Sequence, residues 1–126
     1  MMANEAAMGT FKIPVRFSNP RDESRFAVLD ALVDTGATDC GVPASLLKRL
    51  GVQPYREKEY EVAGGEIAVY PLGEVVVQVN GERATVPVTF DPENATPTLG
   101  AIALEALGFA PDPIARRLLP VRRFKK

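Results

Sequence analysis

From Phe11 onward, apolar and polar positions alternate: Phe11, Ile13, Val15 and Phe17 share one side of a period of two. That period marks a half-buried strand. Ser18-Asn19-Pro20-Arg21-Asp22 follows with turn-forming side chains. The run from Arg25 to Val33 ends in Ala31-Leu32-Val33, apolar on both faces, as in a strand covered from both sides. It delivers the chain to Asp34-Thr35-Gly36-Ala37. Pro43 to Gly51 predicts a short helix, with Pro43 at its first position, Gly51 as its C-terminal cap, and Leu46, Leu47 and Leu50 on one face.

Further along, Tyr60 to Ala63 and Glu66 to Leu72 flank Gly64-Gly65 and predict a hairpin. Val75, Val77 and Val79 alternate up to Asn80-Gly81, a type I′ turn signal, and Ala84, Val86, Val88 and Phe90 alternate after it. Pro87 within that run lacks an amide donor and predicts an edge strand. Asp91 to Thr96 is a polar loop, Ala101 to Leu107 a second short helix closed by Gly108, and Arg117 to Val121 a final strand. Gly36-Ala37 ahead of a helix ending Leu50-Gly51 is echoed by Gly100-Ala101 ahead of one ending Leu107-Gly108, as in a domain of two related halves. The expected organisation is a flexible tail over residues 1–10 and one mainly β domain over residues 11–126.

Composition narrows the chemistry. There is no His, which removes Ser–His–Asp and Cys–His catalysis and most zinc sites. One Cys allows neither an internal disulfide nor a Cys cluster. Carboxylates are then the leading candidates for any chemistry done without a cofactor. The net charge of −1 supplies no global attraction for nucleic acid or an anionic membrane. No apolar run approaches the ~20 residues of a membrane span, and the first ten residues lack the basic-then-apolar pattern of a signal peptide. A cytoplasmic protein is expected. The local basic run Arg116, Arg117, Arg122, Arg123, Lys125 and Lys126 reads as a solvated terminus guarding an edge strand rather than a nucleic-acid site.

The informative segment is Ala31-Leu32-Val33-Asp34-Thr35-Gly36-Ala37, a rigid apolar strand ending abruptly in a carboxylate, a hydroxyl and a glycine. Gly36 permits close approach of another backbone, and Thr35 can hydrogen-bond to main chain and hold the turn. An Asp-Thr-Gly loop can also do no more than end a strand. With apolar residues before it and Ala37-Thr38 after it, however, the segment resembles the active-site motif of the aspartic proteases. Leu99-Gly100 stands where that family carries a downstream apolar-glycine signature, with Thr98 in place of an apolar residue, and the Gly64-Gly65 hairpin stands where it carries a flap. Over Phe11 to Val121 the chain is most similar to the single-domain retropepsin-like group, including its bacterial members.

This resemblance implies a closed, barrel-like β protomer with two short helices. It implies Asp34 as the catalytic carboxylate, with Thr35, Gly36, Leu99 and Gly100 as supports. Gly36, Ala37, Thr38, Asp39, Ala63, Gly64 and Gly65 become the substrate-binding residues. Two carboxylates about 3 Å apart share one proton, activate a water and protonate the peptide carbonyl, with neither metal nor other cofactor. No second Asp-Thr-Gly or Asp-Ser-Gly exists in the chain, so catalysis requires a homodimer supplying the second Asp34 in trans. The expected substrate is a protein or peptide in extended conformation.

Two departures stand out. Retroviral members carry an Arg after the downstream glycine and an Asp just after the Asp-Thr-Gly-Ala, whereas this chain has Ala101 and Thr38. Both charges are absent together, so neither is left without a partner. The competing reading is a catalytically silent dimerisation or peptide-binding module of the same fold. Cys40 reads as a small core residue, Tyr60 and Tyr70 as strand residues beside the hairpin turn, and Asp39 as either a groove residue or a solvated carboxylate.

Overall fold

The structure is a computed structural model and describes residues 10–125. Apart from Thr10, the expected N-terminal tail lies outside the described residues, as does Lys126. Strands dominate. In chain order they are β1 (Lys12–Asn19), β2 (Asp22–Val33), β3 (Cys40–Pro43), β4 (Arg56–Glu61), β5 (Ile67–Val79), β6 (Glu82–Asp91), β7 (Thr98–Leu99), β8 (Phe109–Asp112) and β9 (Arg117–Pro120). Helix α1 (Ala44–Arg49) follows β3, and helix α2 (Ala101–Leu107) follows β7.

The alternating runs form the expected strands because a period of two places every second side chain on the covered face. In β1 that face carries Val15 and Phe17, both fully buried, and in β6 it carries Val86 and Val88. Seven strands lie in the order β1-β2-β7-β3-β6-β5-β4, and β1 also pairs with β5. The pairings β1–β2–β7–β3–β6–β5–β1 thus close a circuit, with β4 added outside β5. Phe17, Val42, Leu47, Val75, Val77 and Leu99 fill its interior, each with 0 % exposure. Burying side chains of this size contributes roughly 1.5–3 kcal/mol each.

Several elements differ from the sequence reading. The two runs on either side of Leu72-Gly73 form one strand, β5, which pairs with β4 over its first part and with β1 near its end. Val52, Phe90 and the Gln53 carbonyl crowd the Cα of Gly73, so a Cβ there would meet the Phe90 ring at 3.0 Å. β6 lies between β3 and β5 and is not an edge strand. Pro87 is tolerated because β3 begins its pairing one residue later, at Cys40↔Val88, leaving only β5 beside the proline. Pro43 is the extended residue before α1 rather than its first helical position. In place of a side chain at that cap, Glu93 accepts hydrogen bonds from the Ser45 amide and hydroxyl. These bonds, the hydroxyl's first, hold the Glu93 carboxyl below its ordinary range. Gly51 and Gly108 both end their helices at φ +81°, as expected of C-terminal glycines. Asn80 (φ 50°) and Gly81 (φ 85°) form the expected type I′ turn.

Candidate active site

Asp34 lies immediately past β2, and the end of that strand is held from two directions. The Val33 amide donates to the Phe11 carbonyl at 2.9 Å, while the Leu32 amide donates to Pro97 at 2.8 Å and the Asp34 amide to Leu99 at 3.1 Å. β7 supplies this second brace by pairing in parallel with β2, Leu32 opposite Thr98 and Val33 opposite Leu99. Ala31 and Val33 are buried and Leu32 is half-buried, so the strand is anchored by packing as well.

Beyond Val33 the chain turns. The Asp34 carbonyl accepts from the Ala37 amide at 3.2 Å, and its Oδ1 accepts from the Gly36 amide at 2.9 Å. The carboxylate is thereby oriented by its own loop, half-buried, with Thr35 and Gly36 exposed beside it. Thr35 also faces a groove of about 680 Å³ between α2, β8 and the C-terminal segment.

Gly100 explains how the loop is supported from below. A Cβ at this position would lie 2.5 Å from the Asp39 carbonyl oxygen and 2.9 Å from that of Ala37. With hydrogen there instead, α2 approaches closely enough for the Ala101 amide to donate to Ala37 at 2.7 Å and the Ile102 amide to Thr38 at 3.1 Å. Main-chain bonds therefore join the loop to α2 at the two positions, Thr38 and Ala101, that lack the charged pair.

The hairpin of β4 and β5 forms around Gly64 (φ +95°) and Gly65 (φ +87°), values that favour glycine. Its tip stands clear: a Cβ at Gly64 would meet nothing within 4 Å. Ala63, Gly64 and Gly65 are exposed. The contact with the Asp34 loop comes from the arm, where the Tyr60 hydroxyl donates to Asp39 Oδ2 at 2.5 Å. Tyr60 also packs edge-on against Tyr70, with ring centroids 5.7 Å apart. Burial, followed by the bond to Asp39, pushes the Tyr60 phenol upward, so it remains a protonated donor.

Asp91, expected in a polar loop, is the last residue of β6 and belongs to this neighbourhood. Its carboxyl is raised by burial, against the lowering effect of the Thr89 hydroxyl that donates to it at 2.7 Å. A Cβ on Gly41 would lie 2.1 Å from that carboxyl. No spacing signal marks the Gly41 contact, because β3 and β6 bring it to Asp91 from a distant part of the chain. Cys40 lies in the core, and burial pushes its thiol up to about 12. Among the described residues no cluster of three or more His, Cys, Asp or Glu could hold a metal ion, and no helix is long and apolar enough to cross a membrane.

A loop braced on two sides, an oriented carboxylate and a glycine packed beneath them can be compared with known proteins. The family model described as "Aspartyl protease" matches residues 14–101, which include the whole Asp34 loop and Gly100. The chain belongs to the aspartyl protease family. Membership makes it an aspartic-type hydrolase, and solved aspartyl proteases share its fold. The EIAV protease in complex with an inhibitor superposes with a TM-score of 0.56 at 20% identity, covering 78% of this chain and 88% of that one. A retropepsin-like aspartic protease from Rickettsia conorii gives 0.52 at 21% identity, covering 82% and 86%. The simian foamy virus (mac) protease gives 0.51 at 18% identity, covering 74% and 92%. The fold of this family member is therefore retropepsin-like, as the motif implied. A sequence search of curated proteins returned no match.

Proposed function

We propose that the protein is an aspartic endopeptidase whose active site assembles from two copies of the chain, each supplying Asp34. The observation that carries this reading is the half-exposed Asp34 carboxylate, oriented by Gly36 on a loop braced by Leu99 and Gly100, in a chain with a single Asp-Thr-Gly. A loop built this rigidly presents its carboxylate outward, where a two-fold copy could set a second one beside it. Exposed Thr35 and Gly36 would lie along that contact, and the groove beside Thr35 continues it towards α2 and β8.

Two carboxylates in such contact share one proton, because both cannot ionise at about 3 Å. The ionised member takes a proton from water, the water attacks the peptide carbonyl, and the protonated member donates to the carbonyl oxygen. An extended peptide or protein segment lies between the Asp34 loops and the two hairpins, pairing with backbone as an added strand would. Gly36, Ala37, Thr38 and Asp39 line its floor, and Ala63, Gly64 and Gly65 form the flap that closes over it. The flap excludes water that would compete in the reaction. The domain over residues 11–126 needs no cofactor for this chemistry and no nucleic-acid partner.

Asp34→Asn tests the assignment. The amide keeps an oxygen for the Gly36 amide but cannot exchange the proton, so cleavage of an unfolded protein substrate falls at least about 10²-fold while thermal stability is retained. Undiminished cleavage by the folded variant refutes the role of Asp34. Analytical ultracentrifugation over a concentration series, with and without a transition-state-analogue inhibitor, tests the assembly. A strict monomer under both conditions refutes the shared site. A stable dimer with no cleavage of any substrate points to a silent module of the same fold.

A further inference from the structure

The hairpin projects beyond the body of the sheet. β6 stops pairing with β5 at Leu72↔Thr89, so among the described residues Ile67 to Pro71 have only β4 beside them. β4 itself is an edge strand, and its sequence Arg56-Glu57-Lys58-Glu59 is exposed. Among the described residues, one side-chain hydrogen bond links residues 56–71 to the rest of the protein: Tyr60 to Asp39. It sits at the outer part of the arm, where Tyr60 lies opposite Ala68. Beyond it only Glu61↔Ile67 remains before the turn. The turn holds itself together, the Val62 amide donating to Glu66 at 2.8 Å and the Gly65 amide to Val62 at 2.9 Å.

Resting on the reading of this hairpin as a flap, we propose that the Tyr60–Asp39 bond pins the arm to the Asp34 loop and confines flap opening to the tip, residues 62–66. Tyr60 is then a positioning residue. It sets the height of the arm above the loop and closes that flank of the groove, so substrate enters beneath the glycine tip. The geometry favours a pin over an incidental contact for three reasons. The bond is short, its donor is half-buried and stays protonated, and the Tyr70 ring fixes the phenol in place.

Amide hydrogen exchange tests the proposal in the full chain carrying Asp34→Asn, which prevents self-cleavage and makes the result independent of peptidase activity. The parent is expected to exchange rapidly at the glycine tip and slowly at those amides of residues 57–60 and 68–70 that donate across the β4–β5 pair. Tyr60→Phe keeps the ring packing and removes the hydroxyl. It should speed arm exchange by at least about tenfold, the lower end for a hydrogen bond to a carboxylate, while amides of β1 and β6 are unchanged. Asp39→Ala should do the same, and the double variant should exchange no faster than either single one. Asp39→Asn, whose amide oxygen still accepts, should restore most of the protection. The pin is overturned if Tyr60→Phe leaves arm exchange unchanged or if the two single effects multiply. Absence of peptidase activity in the chain that keeps Asp34 would undo the flap reading and leave these rates as they are.

Discussion

Gly100→Ala should damage the molecule out of proportion to one methyl group. Backbone angles at Gly100, φ −91° and ψ 180°, are open to alanine, so any cost comes from contact alone. The new Cβ would stand 2.5 Å from the Asp39 carbonyl oxygen, 2.7 Å from its carbon and 2.9 Å from the Ala37 oxygen. These are main-chain atoms and cannot swing aside as a side chain could. Overpacking of this kind costs about 1–3 kcal/mol. If the loop yields, the bonds from Ala101 and Ile102 to Ala37 and Thr38 lengthen, at about 0.5–1.5 kcal/mol each. The lower entropy of the unfolded alanine chain returns about 0.4–1 kcal/mol. A net loss of about 2–3 kcal/mol lowers Tm by roughly 10 °C in a domain of this size. Circular dichroism melts check it against Gly64→Ala, which meets no neighbour but is strained at φ +95°, for about 1–2 kcal/mol. Peptidase activity provides a second readout, since a shift of ~1 Å in a reacting group costs on the order of 10²-fold. If Gly100→Ala melts with the parent, the close approach does not hold the Asp34 loop in place, and the reasoning fails.

Three other outcomes follow from burial and capping. Ser18 is fully buried in β1 and its hydroxyl has no partner among the described residues; Ser18→Ala should raise stability by about 1 kcal/mol, and a lower urea midpoint would contradict this. Cys40, with its thiol at about 12, should resist a thiol reagent at pH 8 in the native protein and react fully once unfolded; rapid native labelling would show the site is open. The Glu93 carboxyl is lowered in the folded state, so its contribution to stability is present above the ordinary value of 4.5 and lost as pH falls below it. Glu93→Gln should flatten that acid limb in urea titrations from pH 6 to pH 3, and an unchanged limb would remove Glu93 from the account.

Much of the local structure was legible because it rests on local rules. Alternating apolar residues marked β1 and β6, glycines ended both helices, and Asn80-Gly81 turned one strand into the next. The segments that escaped lack such marks. β3 is four residues, Cys40-Gly41-Val42-Pro43, with no alternation because three of them are buried in sequence. β8 contains Pro111 and, among the described residues, pairs only with β9. Pro87 signals an edge although its strand is interior, because a proline reports the flank at its own position and β3 begins one residue further on. The Asp34 loop stood out through its abrupt change of chemistry after an apolar run. The Tyr60–Asp39 bond and the place of Asp91 did not, because they depend on how the sheet closes, and no short-range pattern encodes that.

The parallel contact between β2 and β7 has a bearing on biosynthesis. Asp34 leaves the ribosome well ahead of Leu99, whose carbonyl steadies its amide, and of Ala101, where the helix that supports its loop begins. At roughly 5–20 residues per second, translation leaves the motif without that scaffolding for several seconds. Non-local pairing of this kind is also slow to form once the chain is complete. The order of synthesis thus acts as a delay: a nascent copy carries its acidic residue on an unsupported loop until nearly the whole domain has been made.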